Sequence, residues 1–272
     1  MNITKPVITN HKQQNQIRTL FEFILPFIVV AVLWEFVIRM GWVQLHSLPA
    51  PSKILVSFWE LTFQKGVLFH HFISSLYRLA IGYLLAVIVG TTAGALLSMN
   101  QRISDYFEII LRLLISVPTL AWVPVLLITL GLGSKTVIAA IFLSGFFAIT
   151  YNTMRGIEMI DRSIVRAARI MGVRGIRLFI KVLFPASMNS IITGLRLAIG
   201  YGWRALIGGE MLSVMIPWGI GKMVYQARFW NDVTVMFVGM VLIGLSGYLL
   251  DRTFIFWLES KTIEKWGVVV RR

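Results

Sequence analysis

The chain has 272 residues, of which 57% are hydrophobic and only 14% charged, with a mean hydropathy of +0.78. A soluble domain carries about a quarter charged residues, and here the apolar residues arrive in runs too long for strands or surface helices, so the bilayer is the natural solvent. The net charge of +14 sits mainly between the apolar runs, which argues against nucleic acid and for anionic lipid headgroups, and the lack of cysteine excludes disulfides, thiolate metal sites and a cysteine nucleophile.

In chain order, residues 1–19 form a polar tail with no small-residue cleavage site after the apolar run that follows, so no cleaved signal peptide is expected. A first span is predicted over 20–38, and its Glu22 and Glu35 need an explanation. The segment LPAPSKILVSFWELTF follows, in which Ser52 is expected to cap a helix over 52–64 lying in the membrane interface, or else in an outer loop. Further spans are predicted over 73–99, 107–130, 136–154, 186–212 and 233–257, with a tail over 258–272. The fold class is therefore all-α, an integral membrane bundle of about six helices. Pro118 and Pro124 fall inside the third span, where freed carbonyls are tolerated if protein or a water-filled cavity satisfies them, so this span is expected to face protein or pore.

Six spans put both termini on one side. Sixteen basic residues then fall on that side, seven of them between Arg155 and Lys181, against six opposite. The excess places the termini and the Arg-rich segment 155–185 in the cytoplasm of a cell membrane. That segment reads as two short helices. Asp161 or Ser163 caps the first, Gly172 ends it, and the second runs through Ile176, Phe179, Ile180 and Leu183 until Pro185 stops it. The small pair Ala167 and Ala168 lets another protein approach closely, and the arginines around them supply charge complementarity.

Charged residues inside spans face the bundle, pair, or line a pathway. Glu108 and Arg112 stand four apart in the favourable order for a helix pair. Arg196 is read as gate or structure. Two readings stand for Arg204: a guanidinium in the pathway meeting an anion through two parallel hydrogen bonds, or a partner for Glu210 or Glu35. Glu210 is expected to hold an external gate or loop, and Tyr201 and Trp203 to be packing aromatics. His11, His46, His70 and His71 form no spaced metal-ligand or base–nucleophile set with a carboxylate, so no metal site is expected, and all four read as tail or interface residues.

The spacing of the cytoplasmic segment resembles a signature of importer permeases of the ATP-binding-cassette superfamily: E-A-A, three residues, Gly, nine residues, I-x-L-P. Here Arg166-Ala167-Ala168 is followed after three residues by Gly172 and after nine more by Val182-Leu183-Phe184-Pro185. The chain departs from it at Arg166, Val182 and Phe184. From Leu48 onward it is similar to the nitrate, taurine and alkanesulfonate permease subfamily, through LPAPSKIL, SSLYRLAIGYLLA, PTLAWVPVLLITLGLGSKT, GLRLAIGYGWRALIGGEML and LESKTIEKWGV. That subfamily often has an aromatic and an acid where this chain has Leu130 and Ser134, which leaves the substrate open.

The resemblance implies a type I importer permease fold, a homodimer, two cytoplasmic ATPase subunits and an external binding protein delivering a small anion. It also implies a docking loop for the ATPase at Asp161, Arg166, Ala167, Ala168, Gly172, Arg174 and Pro185, and a pathway or gate at Arg204, Arg196, Glu210, Pro118 and Pro124. No catalytic residue and no cofactor is expected in this chain. It lacks the phosphate loop G-x4-G-K-[ST], so ATP and Mg fall to the partner ATPase. The competing class is an ion-gradient-driven transporter, which typically shows inverted repeats and mid-membrane acids.

Overall fold

The computed structural model describes residues 25–42 and 48–262, with side chains up to residue 253. Every regular element among them is helical. Helix α1 covers 25–39 and α2 Pro51–Trp59, continued by one π-helical turn over Glu60–Gln64. Then come α3 (Val67–Leu97), α4 (Gln101–Ser116), α5 (Thr119–Leu130), α6 (Ser134–Glu158) and α7 (Arg162–Ile170). The short α8 (Gly175–Leu178) leads through a π turn, Phe179–Leu183, into α9 (Phe184–Ala186). Three more helices close the chain: α10 (Met188–Leu212), α11 (Ile220–Phe229) and α12 (Val233–Thr262).

Helices α3, α6 and α12 are each long and apolar enough to cross a bilayer, and two bent pairs raise that number to five. The predicted first span coincides in part with α1, and its beginning, with Glu22, lies outside the described residues, as do residues 1–19 and 263–272, while 258–262 of the predicted tail continue α12.

The third span was expected as one helix over 107–130, but the chain starts it at Gln101 and turns by 93° between α4 and α5. The cause is local. A proline ring pushes the preceding residue out of the helical region, and Val117, before Pro118, is extended at φ −72°, ψ 121°. Pro124, inside α5, does not end that helix; Gly131 does, at φ +79°.

Pro185 likewise fails to stop the second helix of segment 155–185. It falls in the first turn of α9, where its missing N–H is not called on, and the chain breaks instead at Ser187, with a 64° bend into α10. Ser52 does not cap α2 either. Ala50 holds the cap position, and Ser52 donates its backbone N–H (3.0 Å) and hydroxyl (2.9 Å) to the carboxylate of Glu35 on α1. Glu35 thereby supplies the negative charge that a helix N-terminus favours, and Arg39 pairs with it at 2.8 Å.

The core is a stack of three helices with α6 in the middle, between α3 and α10. In a bilayer, helices associate through close packing, and small residues permit it. Gly82, Ala86, Gly90 and Gly94 recur every fourth residue on α3 and all face α6; a Cβ at Gly94 would lie 2.6 Å from the Thr150 carbonyl oxygen. Gly194, Ala198, Gly202 and Gly209 also face α6, from α10. Around this stack lie α11, α12 and α2, with Ile54, Leu68, Met223 and Val238 as a second cluster.

Candidate functional site

Hydrogen bonds and packing define two ends of the bundle. At one end the turn after α3 meets the start of α4 and the end of α6, where Ser104 bonds Glu158. Segment 155–187 is at this end. At the other end the start of α3, the start of α6, the end of α10 and the start of α11 converge on one buried ion pair.

That pair is Arg78 with Glu210, Nη1 to Oε1 at 2.7 Å, their side chains 5% and 0% exposed. Every polar atom around it is used. Arg78 also donates through Nε to the Ser134 hydroxyl (3.0 Å) and through Nη2 to the Trp218 carbonyl (2.7 Å). Glu210 accepts from the Ser75 hydroxyl at 2.8 and 2.9 Å and from the Gly221 N–H at 3.0 Å. Ser75 accepts from the Ile220 N–H, and Nδ1–H of His71 donates to the Gly219 carbonyl at 2.7 Å. A Cβ at Gly219 would sit 2.6 Å from the Glu210 carboxyl, so this turn closes onto the acid only with glycine there. The turn is braced again by Lys222, which donates to the Val214 carbonyl at 2.6 Å and to that of Ile216, and by Ser213, whose hydroxyl accepts from the Gly133 N–H at 2.8 Å.

His71 is therefore a buried bracing residue, not the tail or interface residue expected. The roles of Ser75 and Arg78 were not foreseen. The signal was present: His71, Ser75 and Arg78 stand at i, i+4 and i+7, a polar stripe on one face of an apolar helix.

Because Glu210 is spent on Arg78 and Glu35 on Ser52 and Arg39, neither acid pairs with Arg204 within the chain. Arg204 is exposed on α10, its guanidinium carbon 6.0 Å from the Tyr201 ring centre. It borders a cavity of about 320 Å³ inside the α4–α5 elbow, whose lining includes Leu114, Val117, Pro118, Trp122 and Phe147, with hydroxyls from Thr119, Ser144 and Tyr201. No acid lines it. Arg196, eight residues earlier on α10, is half-buried and outside that lining. So the structure brings Arg204 and Pro118 together, while Pro124 is exposed elsewhere on α5 and Glu210 belongs to the buried pair.

Beneath the elbow, α4 is fastened to α6 by charge. Glu108 holds Arg112 at 2.6 Å and Arg155 at 3.5 Å, Arg155 also meets Glu158 at 3.0 Å, and Arg112 donates to the Tyr151 hydroxyl at 3.2 Å. The Glu108–Arg112 pair is the one that the spacing predicted.

On segment 155–187, Asp161 caps α7, its Oδ1 accepting from the Ser163 N–H at 2.7 Å, and this bond holds its carboxyl below the usual range. Ala168 is buried, while Ala167, Arg166, Arg169 and Arg174 are exposed. Ile164, Ile170 and Met171 are exposed too, the last two by 87% and 75%. Gly172 follows at φ +81° with open space where a Cβ would project. The result is a small protruding helix, basic and apolar together.

A model of the "binding-protein-dependent transport system inner membrane component" family matches residues 82–263. The chain is 32% identical over 243 residues, covering 89% of it and 86% of the relative, to a putative aliphatic sulfonates transport permease protein, SsuC, of Bacillus subtilis (strain 168). It is 30% identical to the nitrate import permease protein NrtB of Synechocystis sp. (86% of each) and 34% identical to the bicarbonate transport system permease protein CmpB of Synechococcus elongatus (72% and 69%). A solved chain of the MetNI methionine ABC transporter, in an inward-facing conformation, matches at a TM-score of 0.55 and 16% identity, over 71% of this chain and 96% of that one.

Proposed function

The chain belongs to the binding-protein-dependent transport inner membrane components, and from that premise we propose that it forms, with a second copy of itself, the translocation pathway of an ATP-driven importer for a small organic anion. Two ATPase subunits, which bind the ATP and Mg, dock at the end of the bundle that carries α7. An external binding protein delivers substrate at the opposite end, above the turn 213–219.

The single observation that supports this reading best is the protruding α7. Exposed apolar side chains on a short helix, ringed by Arg166, Arg169 and Arg174, are costly to leave in water, and they suit a partner surface that is apolar at its centre and acidic at its rim. Asp161 fixes the start of the helix and Gly172 its end, with Pro185 carrying the chain back toward α10. Two copies of α7, held on rigid bundles, would convert closure of an ATPase pair into rocking of the permeases.

Arg204 is the pathway residue in this reading. An arginine fork offers a sulfonate or carboxylate two parallel hydrogen bonds, and nothing acidic in the cavity competes for it. The wall beside it is mostly aliphatic and aromatic. That favours an anion with a short apolar body over a bare inorganic one, which would need donors on several sides. Unsubstituted aliphatic sulfonates therefore stand ahead of nitrate and bicarbonate, and ahead of taurine, whose ammonium meets no acid in that lining.

The test is co-purification of the permease with its ATPase in lipid, comparing wild type with Gly172→Arg and Gly172→Asn. Asparagine tolerates positive φ and arginine adds bulk. Expected is loss of assembly and of stimulated ATP turnover with arginine, both retained with asparagine. If no ATPase binds wild type, the reading fails and a gradient-driven transporter takes its place.

A further inference from the structure

Beyond transport itself, we propose that the end of the bundle carrying α7 holds a specific site for an anionic phospholipid, in a groove between the last turns of α3 and the α8–α9 segment. The groove has a volume of about 280 Å³ and is lined chiefly by Ala95, Leu96, Met99, Ile176, Phe179 and Phe184, together with Thr91 and Thr92. The Thr92 hydroxyl is already spent on the Ile88 carbonyl at 2.7 Å. The floor thus has little to offer a polar ligand, and what fills it is hydrocarbon.

The rim is the opposite. Arg177 directly follows the lining residue Ile176 and Lys181 stands two residues after Phe179; both are exposed, and Arg174 precedes them. No Asp or Glu occurs anywhere from residue 162 to residue 209, so these cations have no acid nearby in sequence. The groove also lies at the right depth. It opens where α3, a 31-residue apolar helix, ends, beside the turn 98–100, which is the level of headgroups. An acyl chain in the groove puts a lipid phosphate at Arg177 and Lys181, whose stems lie along apolar surface while their charges reach outward. A second negative charge in the headgroup strengthens the contact. A choline ammonium in its place faces like charge. The site follows α7 directly in the chain, so a lipid held there steadies the segment on which α7 is mounted.

The experiment uses the permease–ATPase complex in phosphatidylcholine nanodiscs doped with phosphatidylglycerol carrying a photoactivatable acyl chain, or with phosphatidylcholine carrying the same chain. Expected is labelling of residues 91–99 and 175–184 that is at least tenfold stronger with the glycerol headgroup. Each surface cation contributes about a fivefold preference, so Arg177→Gln with Lys181→Gln should erase the difference while leaving the choline lipid's labelling in place. Ala95→Trp, which fills the groove, should abolish labelling by both lipids with the rim charges intact. Equal labelling by the two lipids, or a preference that survives the double neutralisation, overturns the proposal. So does the absence of labelling at these peptides, which would mean that protein covers the groove, and so does full competition by inorganic phosphate, which would make it a site for a soluble anion. Labelling does not depend on ATPase stimulation or transport, and it can be repeated on the permease alone, so failure here is distinct from failure of the importer reading.

Discussion

Glu210 and Arg78 show how one buried pair constrains a whole end of the molecule, because between them they also hold Ser75 on α3, Ser134 on α6, the Trp218 carbonyl and the Gly221 N–H on α11. Removing one member leaves the other charged in a site closed to water, which typically costs about 3–5 kcal/mol, whereas removing both leaves no unpaired charge, only neutral groups of Ser75, Ser134, Trp218 and Gly221 to find new partners. Arg78→Leu and Glu210→Leu should each lower the thermal midpoint of the detergent-solubilised permease markedly, and the double variant should recover most of the loss. Additive losses in that cycle would mean that the pair matters less than its separate bonds to Ser134, Trp218 and Ser75. Asp161 makes a residue-scale prediction with a sign. Its folded carboxyl is depressed by the Ser163 N–H, so its contribution to α7 is complete above the ordinary carboxylate range and vanishes as pH falls through the folded value. Protection factors of the 162–165 amides, corrected for the intrinsic pH dependence of exchange, should therefore fall at acid pH in wild type and stay flat in Asp161→Asn, which caps without titrating.

Among the elements, the α3–α6 contact is the most sensitive to added volume. Gly94→Leu places a side chain where the Thr150 carbonyl and the Thr153 Cβ, 2.7 Å from the new Cβ, already stand, and overpacking of this kind costs about 1–3 kcal/mol. Gly200→Ala on α10, whose Cβ would meet no atom within 4 Å, should be neutral or slightly stabilising in the isolated chain. Unfolding midpoints of the two variants, measured side by side, check the contrast. The α4–α5 elbow is a different kind of device. Val117 and Pro118 make the turn, the Glu108–Arg155 and Arg112–Tyr151 contacts fasten its lower arm to α6, and the cavity beside Arg204 is the space that the turn leaves.

For the whole molecule, the two ends of the bundle make opposite predictions about access. The chain has no cysteine, so single cysteines report cleanly. Trp230→Cys and Met171→Cys both replace exposed residues, 84% and 75% accessible, at opposite ends. In intact cells a membrane-impermeant maleimide should label the first, and should label the second only after the envelope is opened; the reverse pattern would invert the orientation that the basic residues indicate. Uptake supplies the remaining test. Arg204→Gln should lower accumulation of a short alkanesulfonate by one to two orders of magnitude, about 1.4 kcal/mol per factor of ten, with ATPase assembly unchanged.

The family and the helical class were legible in the sequence because hydropathy, basic-residue asymmetry and the spacing from Ala167 to Pro185 are one-dimensional properties. They depend on the bilayer and on local backbone chemistry, not on which helices meet. Legible for the same reason were the Glu108–Arg112 pair, the Asp161 cap and the left-handed Gly172. The small-residue stripe of α3 was there to be read at a period of four, but its partner was not. Chain folding in three dimensions settled who pairs with whom among the charges in and beside the spans. Arg78 takes Glu210 across 132 positions, Ser52 takes Glu35 across 17, and Arg204 is left facing a cavity. Partner choice for a charge in a low-dielectric interior is set by the nearest opposite charge in space, and in a bundle of long helices spatial neighbours are fixed by packing rather than by separation along the chain.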